Sequence, residues 1–255
     1  MSVLEFYDQL AGDYHLIFQD WRQGVQRQGK SLDDFIRRLV HGAPDITVYD
    51  CSAGIGTQAI GLALQGYIVH ATDYSPKAIT RAQQEAESFD LSMTFGVADF
   101  RQLGTQVNGA FDVVISCDNS LPHLLTNDDL KLATQNLAQK INSGGLLLIS
   151  IRDYDAILAT KPTTTPLAVY NDATNQRRVS FQVWDWAENA DIYTVNHYII
   201  THSDELITRH HSTQYRALRR TELTAFLQVT DLTDIQWHMP EDSGYYQPIV
   251  TARKP

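Results

Sequence analysis

Apolar residues recur every three or four positions over residues 3–40, at Leu4, Tyr7, Leu10 and Ala11 and again at Leu32, Phe35, Ile36 and Leu39. That spacing predicts helices with one buried face. Between them runs an aromatic segment, Tyr14-His15-Leu16-Ile17-Phe18-Gln19-Asp20-Trp21. It reads equally as a helical cap packed on the fold and as a cover over a ligand pocket. Gly42-Ala43-Pro44 breaks the helix. The pattern then changes to short apolar runs at 46–50, 68–72, 93–97, 111–116 and 146–151, separated by helical patterns at 57–65, at 76–89 and from Thr126 to a turn at 142–145. Strands alternating with helices imply a parallel, doubly wound sheet. The run at 111–116 is almost wholly apolar, as a strand covered on both faces should be. Ser75-Pro76 marks a helix start, with Ser as cap and Pro at the first helical position.

From 162 to 215 the period drops to two, as in Val179-Ser180-Phe181-Gln182-Val183-Trp184. This predicts an antiparallel β insertion. A helix at 221–228 and a strand pair at 235–239 and 247–252 close the chain. The expected organisation is one domain over 1–255: a helical cap or lid (1–43), a ligand-binding core (44–155), the β insertion (156–216), and the closing helix and strands (217–255).

Composition narrows the function. The chain has 255 residues, 43% of them hydrophobic, ample for a core and against wholesale disorder. No apolar run approaches the roughly 20 residues needed to cross a bilayer, and the first residues lack the build of a signal peptide. Cys51 and Cys117 form no disulfide framework, so a reducing, cytoplasmic setting is expected. A formal charge of -10 argues against nucleic-acid substrates. No metal is expected: the nine histidines show no His-Glu-x-x-His spacing, and His210-His211 in an alternating strand should point to opposite faces.

The candidate chemistry sits between 47 and 100. A strand ends in Asp50, a small-residue turn follows (Cys51-Ser52-Ala53-Gly54-Ile55-Gly56), then a helix, then a strand ending in Asp73 and Tyr74. This is a βαβ unit with a nucleotide-type turn, in which glycine lets backbone approach a ligand. Gly54-Ile55-Gly56-Thr57-Gln58-Ala59 also fits a nicotinamide-cofactor form. Three acids favour a different ligand. Asp50 before the turn would be awkward beside a pyrophosphate and suits a cationic amino-acid end. Asp73 suits ribose hydroxyls. Asp99 suits an adenine amino group, with Phe100 beside the ring. Together they describe S-adenosylmethionine, with Cys117 close to the same site.

Here the sequence resembles the class I S-adenosylmethionine-dependent methyltransferases, over roughly 46–151 and the closing helix and strands. That family implies a Rossmann-like, doubly wound, mostly parallel seven-stranded sheet, and S-adenosylhomocysteine as product. The usual Asp-x-Gly-x-Gly-x-Gly appears as Asp50 to Gly56, with Ser52 in place of the first glycine. A narrower resemblance, to glycine and sarcosine N-methyltransferases, lies in Asp118-Asn119-Ser120-Leu121-Pro122-His123-Leu124 and in the stretch from Gly144 through Arg152 to Asp155. It implies that Asn119 and Arg152 orient an amino-acid acceptor, with tyrosine-rich counterparts at Tyr215 and Tyr246 and a lid around Tyr14. The Arg152 fork is suited to a carboxylate; the rival reading is a salt bridge to Asp153 or Asp155. The Asn119 amide oxygen is suited to accept from the substrate amine, the rival being a turn residue. Asp118 with His123 is the pair that acid–base or divalent-ion chemistry would use. The expectation is methyl transfer to the nitrogen of a small amine such as glycine or sarcosine, with no dedicated base. Another small nucleophile, a non-catalytic cofactor-binding protein and a nicotinamide oxidoreductase remain open, as does a homo-oligomer.

Overall fold

The computed structural model describes residues 2–40, 45–171, 177–188, 191–202 and 205–255. The expected helix break at 42–44 lies outside these residues. In order, the helices and strands are α1 (Val3–Leu10), α2 (Trp21–Leu39), β1 (Thr47–Asp50), α3 (Thr57–Ala63), β2 (Ile68–Asp73), α4 (Pro76–Ser88), β3 (Thr94–Val97), α5 (Leu103–Gln106), β4 (Phe111–Ser116), α6 (Asn127–Gln139), β5 (Ile141–Ser150) and α7 (Tyr154–Thr160). They continue with β6 (Ala168–Asn171), β7 (Arg177–Trp186), β8 (Ile192–His202), β9 (Leu206–Arg216), α8 (Arg220–Gln228), β10 (Thr233–His238), α9 (Pro240–Ser243) and β11 (Ile249–Arg253).

The main sheet has seven strands in the order β3-β2-β1-β4-β5-β11-β10. β3, β2, β1, β4 and β5 pair in parallel, and β11 runs antiparallel to both β5 and β10. The expected doubly wound, mostly parallel sheet is therefore present. The strand order reverses between β1 and β4, so the carboxyl ends of these two strands flank the crevice where open α/β sheets take ligands. Val113, Val114 and Ile115 are completely buried, as the apolar run at 111–116 predicted.

Local chemistry sets the element ends. The Ser75 hydroxyl accepts from the Ala78 N–H with Pro76 next in line, and the Thr126 hydroxyl accepts from the Asp129 N–H. Both starts follow the sequence signals. The turn expected at 142–145 is instead a register shift inside β5, where Phe111 pairs with Ile141 but Val113 with Leu146. α2 crosses α3 at a glycine pair: a Cβ on Gly29 would stand 2.3 Å from the Gly61 carbonyl. Trp21 adds a hydrogen bond from its indole N–H to the Thr57 hydroxyl (3.0 Å). The N-terminal helices are thereby tied to the helix that follows the glycine turn.

The period-two region forms a separate four-stranded antiparallel sheet, β6-β7-β8-β9. Trp184, Tyr193, Val195 and Tyr215 on its inner face join the core with Ile149, Ile151 and Tyr154 from the end of β5 and the start of α7. His210 and His211 do face opposite ways: His210 stacks on Tyr198, whereas buried His211 faces Asp13. The aromatic stripe of the insertion is thus core above the ligand edge of the main sheet.

Candidate active site

The turn from 51 to 56 is fastened at both sides by backbone. Cys51 N–H donates to the Ile115 carbonyl of β4, and Ala53 N–H to the Thr72 carbonyl of β2. Asp73 completes the fastening, accepting from Gly54 N–H at 2.8 Å through one oxygen and from Ser75 N–H at 2.9 Å through the other. Gly56 has φ +95°, and a Cβ there would meet Ile60 at 2.7 Å, so this position demands glycine. Ser52 does not have a positive φ, so the backbone at this position does not require glycine.

A cavity of about 350 Å³ opens over this turn. Ser52, Gly54, Asp73, Tyr74, Asp99, Phe100 and Tyr14 all line it, as expected of a ligand site built at the ends of β1, β2 and β3. The remaining expected cofactor residues stand behind the wall. Gly56 shapes the turn, and Cys117 is buried in the core. Asp50 is 1% exposed; one of its oxygens accepts from Ser52 N–H and the other has no partner. Burial pushes the Asp50 carboxyl up to about 7. An orphaned carboxylate oxygen under the turn fits a ligand that brings a cationic amino-acid end, and fits a pyrophosphate badly.

Asp99 is gripped by its neighbour. The Arg101 guanidinium contacts it at 2.6 Å and also reaches Asp129 at 3.3 Å. Burial works to raise the Asp99 carboxyl, but the Arg101 hydrogen bonds outweigh it and hold it below its usual range. Asp73, without such a cation, is raised by burial despite its amide donors.

Arg152, Asn119, Tyr215 and Tyr246, expected on the acceptor side with Tyr14, do not line this cavity. Arg152, just past β5, lines a different cavity of about 370 Å³ with Tyr246 and Pro248. Its guanidinium donates to the Tyr193 hydroxyl (2.8 Å) and the Gln182 side-chain oxygen (3.3 Å), and lies over the rings of Trp184 and Tyr215. Asp153 and Asp155 both pair with Arg220 instead. Among the described residues Arg152 therefore has no carboxylate partner, and the rival salt-bridge reading fails. Asn119 is 2% exposed with φ +67°. Its amide oxygen, expected to face a substrate amine, accepts from the Arg152 backbone N–H, and the amide nitrogen is the end left without a partner. The spare hydrogen-bonding group of Asn119 is thus a donor, not an acceptor.

The sequence reading did not give roles to Tyr7 and Arg101. Tyr7 belonged to a helical apolar stripe that looked like core, yet its hydroxyl bonds His123 Nε2 at 2.7 Å on the cavity wall. His123 also packs on Tyr215, at 4.1 Å between ring centres, and burial pushes its imidazole down to about 3. It stays neutral at working pH, and its hydrogen-bond partner is Tyr7, not Asp118. No metal-holding cluster of His, Cys, Asp or Glu occurs among the described residues. None of their helices is long and apolar enough to cross a membrane.

Comparison with known proteins adds the following. The methyltransferase-domain family matches residues 48–145. The chain is 34% identical over 140 residues to a glycine/sarcosine N-methyltransferase from Parasynechococcus marenigrum, covering 54% of this chain and 48% of that protein. It is 33% identical over 157 residues to the human glycine N-methyltransferase, covering 56% and 48%. The chain spans about half the length of these curated relatives. In three dimensions it is similar to an S-adenosylmethionine-bound amino pentose methyltransferase from Micromonospora echinaspora, with TM-score 0.73, 13% identity and 95% of each chain covered. Residues 48–145 thus match a methyltransferase domain, and the chain has the fold of the class I methyltransferases.

Proposed function

We propose that this protein methylates the nitrogen of a small amine that also carries a carboxylate, glycine and sarcosine being the simplest examples. The observation that carries this reading is Arg152: a part-buried guanidinium just past β5, held by the Tyr193 hydroxyl and the Gln182 side-chain oxygen, with no carboxylate partner among the described residues. A cation without a carboxylate of its own suits an acceptor's carboxylate. The relatives from Parasynechococcus and human are named for substrates of this class.

When bound, S-adenosylmethionine supplies a methyl group activated by its sulfonium. Asp73, with lone pairs left beyond its two amide donors, would hold the ribose hydroxyls, Asp50 the cationic end, and Asp99 with Phe100 the adenine. The protein's share of catalysis is then alignment and exclusion of water. Tyr14 and Tyr246 would close over the acceptor. Tyr246 is 52% exposed and stands on the wall of the Arg152 cavity while its hydroxyl reaches Asp118, so its movement would join the two spaces.

The test is S-adenosylhomocysteine release against glycine, sarcosine, dimethylglycine and amines without a carboxylate. Turnover confined to the carboxylate-bearing amines is expected. Turnover only with amines lacking one, an amino sugar among them, would remove Arg152 from the site. Cofactor binding without any turnover would favour a non-catalytic role.

A further inference from the structure

Asp118 stands where the cofactor cavity meets a second cavity of about 600 Å³, and it lines both. Its backbone has φ +57°, followed by Asn119 at +67°. Two consecutive left-handed non-glycine residues are strained, and such strain persists where the surroundings over-determine it. The surroundings here are explicit. Asp118 N–H donates to the Ser150 hydroxyl (2.9 Å), and Asn119 N–H to the Ser150 carbonyl (3.2 Å). The carboxylate is then gripped from two distant segments: Tyr14 donates to one oxygen at 2.7 Å and Tyr246 to the other. Among the described residues no cation pairs with it.

Building on the proposed amine methylation, we propose that the Asp118 carboxylate is the group that takes the acceptor's amine and receives its proton. Arg152 and the Asn119 amide nitrogen hold one end of the acceptor, and Asp118 the other. A zwitterion would lie across the three residues with both of its charges met. The amine arrives largely protonated and hands one proton to Asp118. Its freed lone pair forms the carbon–nitrogen bond as the carbon–sulfur bond breaks, the bonding electrons leaving with sulfur. The product is a secondary or tertiary ammonium, with sulfur neutral in S-adenosylhomocysteine.

Burial raises the Asp118 carboxyl from its ordinary value, against the tyrosine hydrogen bonds and the Arg152 charge. This suits a group that must both ionise and accept a proton. The titratable groups facing it are Tyr14, Tyr245, Tyr246, Tyr215, Cys117 and Arg152, and burial holds the tyrosines and the thiol neutral in the working range.

The experiment pairs turnover with binding. kcat/KM for the preferred amine is measured against pH in wild type, Asp118→Asn and Tyr246→Phe. In parallel, that amine and an analogue with carbon in place of nitrogen are titrated into the S-adenosylhomocysteine complex. Asp118→Asn should lower kcat/KM about 100-fold near neutral pH, move the acid limb up toward the free amine's own pKa, and abolish discrimination against the carbon analogue, while S-adenosylhomocysteine affinity holds. Tyr246→Phe removes a hydrogen bond that lowers the Asp118 carboxyl, so its acid limb should also move up; this arm stands even if Asp118→Asn does not fold. Unmoved acid limbs, or equal wild-type affinity for amine and carbon analogue, would overturn the role of Asp118 and leave amine methylation standing. Wild-type turnover of hydroxyl acceptors and no amines would overturn both.

Discussion

The proposed cofactor side and the proposed acceptor side of this molecule are built by different rules. On the cofactor side, the turn and the ends of β1, β2 and β3 come from one stretch, residues 50–100, and their polar contacts run largely from side chain to backbone. On the acceptor side, Tyr14, Asp118, Arg152, Tyr215 and Tyr246 converge from five separate places, and most of their contacts run from side chain to side chain. Backbone amides of that one stretch hold Asp50 and Asp73 in place. Side chains borrowed from a lid, an insertion and the closing strands can change independently, so they are the natural seat of acceptor choice.

The sharpest way to break this contrast is to remove one anchor from each side. Asp73→Ala deletes two charge-assisted hydrogen bonds, one to the turn at Gly54 and one to Ser75 at the start of α4, each worth about 1.5–3 kcal/mol. S-adenosylhomocysteine affinity measured by calorimetry should fall about 100-fold or more. Arg152→Met keeps the stem's packing and removes the charge, and the acceptor's KM should rise about 100-fold, with Arg152→Lys recovering part of it because the fork is lost but the charge is kept.

A third prediction concerns pH on the cofactor side. Asp50 is pushed up to about 7 in the fold from an ordinary 3.8. A carboxyl raised by folding contributes stability in full below about 4 and loses it as pH rises through about 7. Wild type should therefore lose stability between pH 5 and pH 8 relative to Asp50→Asn, by an amount on the order of a few kcal/mol at most, in denaturant titrations at the two pH values. A cationic ligand end reverses the penalty, so S-adenosylhomocysteine affinity should rise roughly tenfold over the same range in wild type and stay flat in Asp50→Asn. The smallest effect is expected for Tyr7→Phe, which removes one hydrogen bond to a neutral histidine. About 1 kcal/mol of stability should go, with cofactor affinity little changed.

The same division explains what could be read from the chain. Hydrophobic period and helix caps gave the sheet, because Val113 to Ile115 must be buried and Ser75 and Thr126 cap whatever follows them. The cavity wall at Ser52, Gly54, Asp73, Tyr74 and Asp99 was equally legible, being local to three strand ends. The acceptor side was not. Nothing in the local spacing of Asn119 shows that its oxygen would be used by the Arg152 backbone. Nor does the stretch around Arg152 reveal that Arg220, in a helix 68 positions along, takes both neighbouring aspartates. Tyr7 looked like core because a phenol ring on an apolar helical stripe is identical in sequence whether or not its hydroxyl meets a cavity.

The most direct test of this division measures both affinities on both variants: S-adenosylhomocysteine and the preferred acceptor, titrated into Asp73→Ala and Arg152→Met. The account predicts a crossed pattern, with Asp73→Ala losing the cofactor product at near-normal acceptor affinity and Arg152→Met the reverse. Equal losses of both ligands in both variants would contradict it.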